Sequence, residues 1–268
     1  SAAAPLRTIG EAWNRVPQGS ALTEGVRIQL AAGSYDAAAL PNYWEHRHGT
    51  EAAPIVVAGD AADRTAVVLR GGLNVFDTSW FHLVDLTVRP EPAGDAFHCE
   101  QCDHLVLRNV VLDGGSAEQG AQETLKVNQS TNVFVEDADI GGATDNAVDF
   151  VAVQGGHLLG NVVHDAQDWC GYAKGGSAYL WVEGNTFTRC GTGGFTAGQG
   201  TGFEFMTAPW LTYEAMGIVV YRNAVIDTDG AGLGVNGGYN VLLAHNTLYR
   251  VGARSHAIEV VGGARLPR

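Results

Sequence analysis

The sequence predicts an all-β solenoid, a coil of short parallel strands closed at its N-terminal end by a helix. Three observations predict it: short β-branched runs ending in Asn or Gly, a repeat near 23 residues, and thirty-six Gly against eight Pro in 268 residues. The runs are HLVLRNVVL (104–112), VFVEDADI (133–140), HLLGNVV (157–163), LWVEGNTF (180–187), IVVYRNAVI (218–226) and VLLAHNTL (241–248). Each reads apolar, x, x, small or Asn, x, apolar. The Asn slot falls at Asn109, Ala138, Asn161, Asn185, Asn223 and Asn246, with spacings of 29, 23, 24, 38 and 23 residues. A unit of this length, holding two or three strands separated by Gly or polar turns, matches one rung of a parallel β-helix. Stacked rungs put the Asn slots in one column, where amides can bond from rung to rung. Leucine-rich repeats share the spacing but need a dense Leu pattern and a helix-like stretch in every unit, and neither is present.

The elements follow in chain order as one domain over residues 1–268. LRTIGEAWNRV (6–16) carries apolar positions at helical spacing, and VRIQLAAGSYDAA (26–38) then alternates like a strand. A cap over about residues 1–25 would cover the backbone groups and apolar end of the first rung. The 38-residue interval holds an inserted loop, about 191–215, rich in Gly and aromatics, and long loops in compact domains are commonly functional. Its Trp210 and Tyr213 are placed either to stack on a ligand ring or to pin the loop to the coil. No comparable cap follows HAIEVVGGARLPR, so further rungs or another element must cover that end.

A formal charge of −13, from twenty-nine acids against sixteen Lys and Arg, argues against binding nucleic acid or anionic lipid. No apolar run approaches the roughly 20 residues of a membrane span. The opening SAAAP reads as the remainder of a trimmed leader, and the expectation is a secreted or periplasmic monomer. Cys99, Cys102, Cys170 and Cys190 allow three disulfide pairings, which spacing alone does not separate. The C-x2-C at 99–102 lacks the second half of a zinc site. The glycine-rich GTGGFTAGQGTG lacks the spacing and the Lys-Ser/Thr of a phosphate loop.

Register turns the repeat into a site. Lys126 stands twelve residues before Ala138, and Asp149 twelve before Asn161, so they share a column. Glu123 and Asn146 share another, fifteen before the slot. Alternation turns Leu125, Val127, Val148 and Phe150 inward and Lys126 and Asp149 to solvent. Glu123, Asp145, Asn146 and Asp149 then crowd one patch on two rungs, and like charges in adjacent rungs repel. A hard cation resolves the conflict, and all-oxygen ligands suit Ca2+. On the next rung a strict count puts Ala173 in the outward column, whereas a bulge at the following Gly-Gly would bring Lys174 there. A cation beside a carboxylate stabilises charge developing on a uronate when its C5 proton is removed, and a lysine of lowered pKa can take that proton.

The chain as a whole resembles the pectate-lyase-like right-handed β-helix proteins, and residues 123–177 look like polysaccharide lyase family 9. HGTEAAPIVV (48–57) also resembles the first rung of several β-helix lyases. The resemblance implies a calcium set of Asp145, Asn146 and Asp149 from DNAVD, a further acid at Glu123 one rung earlier, and Lys174 of YAKGG as base. Asn146 stands where the family has an acid, Glu123 where it has Asp, and Lys174 lies one place off relative to the glycines. The implied activity is calcium-assisted β-elimination of a pectate-like acidic polysaccharide. Register and composition add Lys126 as a second catalytic lysine, placed to pair with Asp149 or with a substrate carboxylate, and Tyr172, Trp210 and Tyr213 as sugar contacts. Three alternatives share the fold: a glycoside hydrolase using Asp165 and Asp168, a C5-epimerase using Tyr172 or His98 as second proton donor, and a non-catalytic carbohydrate-binding or adhesin coil.

Overall fold

The computed structural model describes residues 4–207 and 212–263. The N-terminal helix is real but short, Ile9–Trp13, with Thr8 Oγ1 accepting the Glu11 N–H at 3.0 Å. It lays Ile9 and Trp13 on the first rung, where the Trp13 ring packs 4.9 Å from Trp44 and 5.8 Å from Phe81. The coil then begins.

Each rung supplies up to three strands, as in Leu125–Asn128, Thr131–Glu136 and Asp139–Ala143, followed by Val148–Val151, Gln154–Leu159 and Val162–Ala166. The first two strands of each rung belong to a 20-stranded sheet and the third to a 9-stranded sheet, and all strand pairings between rungs are parallel. Inward residues stack in columns, for example Leu83, Leu107, Val135, Leu158 and Val182, all buried. One apolar core runs from Ile9 to Leu233.

The corner after the second strand explains the sequence template. Asp85, Asn109, Asp137, Gly160, Gly184, Arg222 and His245 all adopt positive φ there, between 51° and 67°. The next residue points inward: Val110, Ala138, Asn161, Asn185, Asn223 and Asn246. Among the last four, the Nδ2 of Asn161, Asn185 and Asn223 each donates to the Asn Oδ1 one rung on, at 2.9, 2.9 and 3.0 Å. The same Oδ1 atoms also accept the backbone N–H of the preceding rung's slot residue. Asn109 does not belong to this ladder. It occupies the left-handed corner, which Asn tolerates almost as well as Gly, and its amide bonds Asp85 instead.

The inserted loop is shorter than expected, because Gly193–Ala197 remains a strand of the coil and the departure begins at Gly198. Both disulfides form, Cys99–Cys102 and Cys170–Cys190, the second tying the first strand of a rung to its third. At the far end Ile258–Val261 pairs along one edge with Leu233–Asn236. Among the described residues no helix is long and apolar enough to cross a membrane.

The ladder predicts a contrast. Asn185→Ala would leave the Asn161 N–H and the Leu158 carbonyl without their partners, an expected loss of about 3 kcal/mol. Asn109→Gly keeps the corner conformation and should cost about 0.5 kcal/mol or less. Urea unfolding of the two variants compares them directly, and equal losses would mean that the internal amides contribute no more than a surface turn.

Candidate active site

Lys126, Asp149 and Tyr172 are register partners on three successive rungs of the outer face of the large sheet. His98 precedes them by one rung and Thr196 follows. The sequence has two lysines, Lys126 and Lys174, and both stand here. Lys126 and Asp149 share a column as counted, but Asp149 is not open to solvent. It is 3% exposed, Glu123 4% and Asn146 1%. Alternation says which face a residue takes; it does not say what lies over it, and here Lys126 and the 2%-exposed Tyr172 flank the carboxylate.

The register around Lys174 differs from both sequence expectations. Ala173 pairs with Phe150 and is fully buried, so it does not face outward. Tyr172 takes the column of Asp149, and Lys174 stands two residues along the same face, paired with Val151. The extra residue of this rung lies after the lysine, where Gly175 and Gly176 adopt φ of 67° and 82°. Lys174 Nζ rests 4.3 Å from the centroid of the Tyr172 ring.

The charges in the cluster are unequal in number. Lys126 Nζ lies 3.2 Å from Glu123 Oε2 and 3.7 Å from Asp149 Oδ2, so one ammonium serves two buried carboxylates. Burial pushes Asp149 above the ordinary carboxylate range, against the pull of Lys174 and Lys126. Glu123 is raised by burial as well, opposed by Lys126. Lys126 also rises: burial would lower it, but Asp149 and Glu123 together outweigh that. Burial and the neighbouring Asp149 carboxylate, which its hydroxyl bonds, raise Tyr172 and keep it protonated. His98 is lowered by burial, which favours its neutral imidazole.

The four residues expected to hold calcium are engaged here with one another, with the backbone and with Lys126, while Asp149 Oδ1 is buried without a hydrogen-bond partner among the described residues. Asn146 Oδ1 accepts the Trp169 N–H at 3.1 Å and its Nδ2 donates to Asp145 Oδ1 at 2.8 Å, so the amide is committed on both sides. The space between Glu123 and Asp149 holds the Lys126 ammonium. Among the described residues no group of three or more His, Cys, Asp or Glu is arranged to hold a metal ion, whereas calcium takes about six to eight oxygens.

Two residues escaped the sequence reading. Asp95 Oδ1 accepts the Glu123 N–H at 3.3 Å from the preceding rung; counting back 28 residues would have found it, but the repeat suggested a shorter step. Glu214, at the end of the inserted loop, is buried and its carboxylate accepts from Gly175 N and Thr201 N. It anchors the turn after Lys174 to the loop, and no periodic signal marks it. Tyr213 stacks on Tyr239 at 4.7 Å, the pinning role. Trp210 lies outside the described residues. Asp165 is held by Arg189 and His164 on a strand of the other sheet.

No protein-family model matches the chain, and no curated protein matches it. Among solved structures, the chain is similar to pectate lyase Pel9A, with a TM-score of 0.57 and 14% identity over 100% of this chain and 74% of that one. It is also similar to the A-module of the mannuronan C-5 epimerase AlgE4 of Azotobacter vinelandii, with a TM-score of 0.52 and 12% identity over 88% of this chain and 68% of that one. The fold is the pectate-lyase-like right-handed parallel β-helix. At these identities the likeness is one of fold.

The raised carboxylate sets a pH-dependent expectation for stability. In the unfolded chain Asp149 titrates near its ordinary value of about 3.9, below its folded value. Above the folded value the native state carries the whole cost of a buried charge; the cost shrinks as pH falls through that value and vanishes below the unfolded one. Asp149→Asn should therefore raise the melting temperature at about pH 8, with the gain fading towards about pH 4. A variant less stable than the parent at the higher pH would show that the Lys126 ion pair outweighs burial.

Proposed function

We propose that the chain is a polysaccharide lyase, cleaving a uronic-acid-containing, pectate-like polysaccharide by β-elimination with Lys174 as base. The observation that carries this reading is the convergence of both lysines with Asp149 and Tyr172 on neighbouring rungs of one outer face. The substrate carboxylate is read by Lys126, whose charge offsets the enolate-like charge that develops when C5 loses its proton. Asp149 and Glu123, inclined to hold protons, reduce the repulsion that a third carboxylate would meet there.

The step balances as follows. The Lys174 Nζ lone pair takes the C5 proton, the C5–H electrons form the C4–C5 double bond, and the bond from C4 to the glycosidic oxygen breaks. Tyr172, protonated and one step from the base, donates to the departing oxygen. The positive charge that the sequence assigned to calcium is supplied by Lys126. The two disulfides support a secreted or periplasmic location, since such bonds persist in oxidising compartments.

A second reading, C5 epimerisation, is favoured by the same protonated Tyr172, which can return a proton to the opposite face of C5 instead of protonating the leaving oxygen. Ultraviolet absorbance of a new double bond conjugated to the carboxylate separates elimination from epimerisation, which leaves the chain intact and exchanges deuterium into C5.

Lys174→Ala should lower kcat by about a thousandfold, the scale of a removed general base, while Lys126→Ala should act mainly on KM. Activity on pectate and alginate should survive EDTA. Loss of all activity on chelation would restore a metal to the mechanism, new reducing ends without ultraviolet absorbance would indicate hydrolysis, and oligouronate binding without turnover would make the coil a binding module.

A further inference from the structure

Beyond Tyr172 the reactive column continues over Thr196, Gly234 and Glu259, one, two and three rungs on. A pocket of about 340 Å³ opens there, lined among others by Trp169, Thr196, Asn236, Arg254, Ser255 and Glu259. That volume falls within the range of small-ligand sites, on the order of 300–1,000 Å³. Glycines create it. A Cβ on Gly193 would stand 2.3 Å from the Trp169 ring and one on Gly234 2.8 Å from it. The indole therefore lies over Gly193 and Gly234 on the two following rungs, where no side chain stands beneath it.

Arg254 gives the pocket its character. Several exposed arginines of the coil pair with carboxylates on neighbouring rungs, as Arg189 does with Asp165 at 2.7 Å and Arg89 with Asp113 at 2.7 Å. Arg254 makes no ion pair among the described residues; its Nη2 donates to the Gly191 carbonyl at 2.6 Å, beside Thr192 on the pocket wall. An unpaired guanidinium in a chain with thirteen excess negative charges retains its capacity for a carboxylate. Asn236, Ser255 and Glu259 present amide, hydroxyl and carboxylate groups of the kind that bind sugar hydroxyls. Rungs stand about 4.8 Å apart, roughly the advance of one sugar along an extended polysaccharide, so the pocket lies about two sugars from the reacting one.

We propose that this pocket is a distal subsite for a uronate residue of the same acidic polysaccharide, with Arg254 on its carboxylate. The inference rests on the lyase reading and adds that affinity depends on chain length. Calorimetry in a Lys174→Ala background, which keeps oligosaccharides intact, tests it with hexagalacturonate, digalacturonate and a neutral hexasaccharide. The hexauronate should bind at least about tenfold more tightly than the diuronate, about the worth of one charge-assisted contact. Adding Arg254→Ala should erase that advantage without altering any binding of the neutral hexasaccharide. Melting curves check that the exposed substitution leaves the coil folded. If the hexauronate binds with its advantage intact after Arg254→Ala, the subsite is wrong and the lyase reading stands. If no uronate binds the parent protein, both fall.

Discussion

Backbone hydrogen bonding of each rung to the next is the constraint on which everything else depends. It holds strands at a fixed step, so a residue's place in the repeat decides its neighbours above and below. Left-handed corners then let three strand directions close into one coil, and the residue after the corner is driven inward. An apolar residue fills that position in the early rungs, as Leu86 and Val110 do. Asn fills it later, and a buried amide is tolerable only because every donor and acceptor is taken. The ladder is thus a second, side-chain layer of the same rung-to-rung bonding.

The outer face uses the same step for charge. At most positions the result is an exposed arginine beside a carboxylate, as with Arg250 and Asp227 or Arg108 and Glu136, and such pairs add little stability. The column of Lys126, Asp149 and Tyr172 differs because Asp149 and Tyr172 are buried and Lys126 is half-buried over them. Two carboxylates share one ammonium, and taking charges out of water costs more than such an arrangement returns. A fold indifferent to chemistry would place apolar residues there. Perturbed groups of this kind are concentrated at sites that react.

Register was legible in the sequence wherever rungs had equal length. Counting from the Asn slot paired Lys126 with Asp149 and Glu123 with Asn146, because no residue is gained or lost between those positions and the slot. The same count failed at Lys174, since Gly175 and Gly176 accommodate an extra residue on the far side of the lysine from the site. Asn109 misled for another reason: Asn suits both the left-handed corner and the internal ladder, and its letter does not say which. Burial of Asp149 was invisible because periodicity assigns a face and not a cover. Glu214 and Arg254 lie outside the repeat pattern altogether, in an insertion and a late turn, and only folding brings them to the groove.

The two basic side chains are distributed unequally. Arginine is found mainly at the surface, where a permanently charged fork suits exposed carboxylates, with Arg47 a buried exception; lysine is kept to two positions, both in the groove. An arginine cannot shed its proton at working pH, whereas a lysine can be shifted in either direction by its surroundings. Lys126, between two acids, is driven towards permanent charge. Lys174 lies against the face of Tyr172, and nothing among the described residues places a carboxylate within ion-pair distance of it. The groove thus holds its two lysines in different settings, Lys126 between two carboxylates and Lys174 against an aromatic face, on rungs two steps apart.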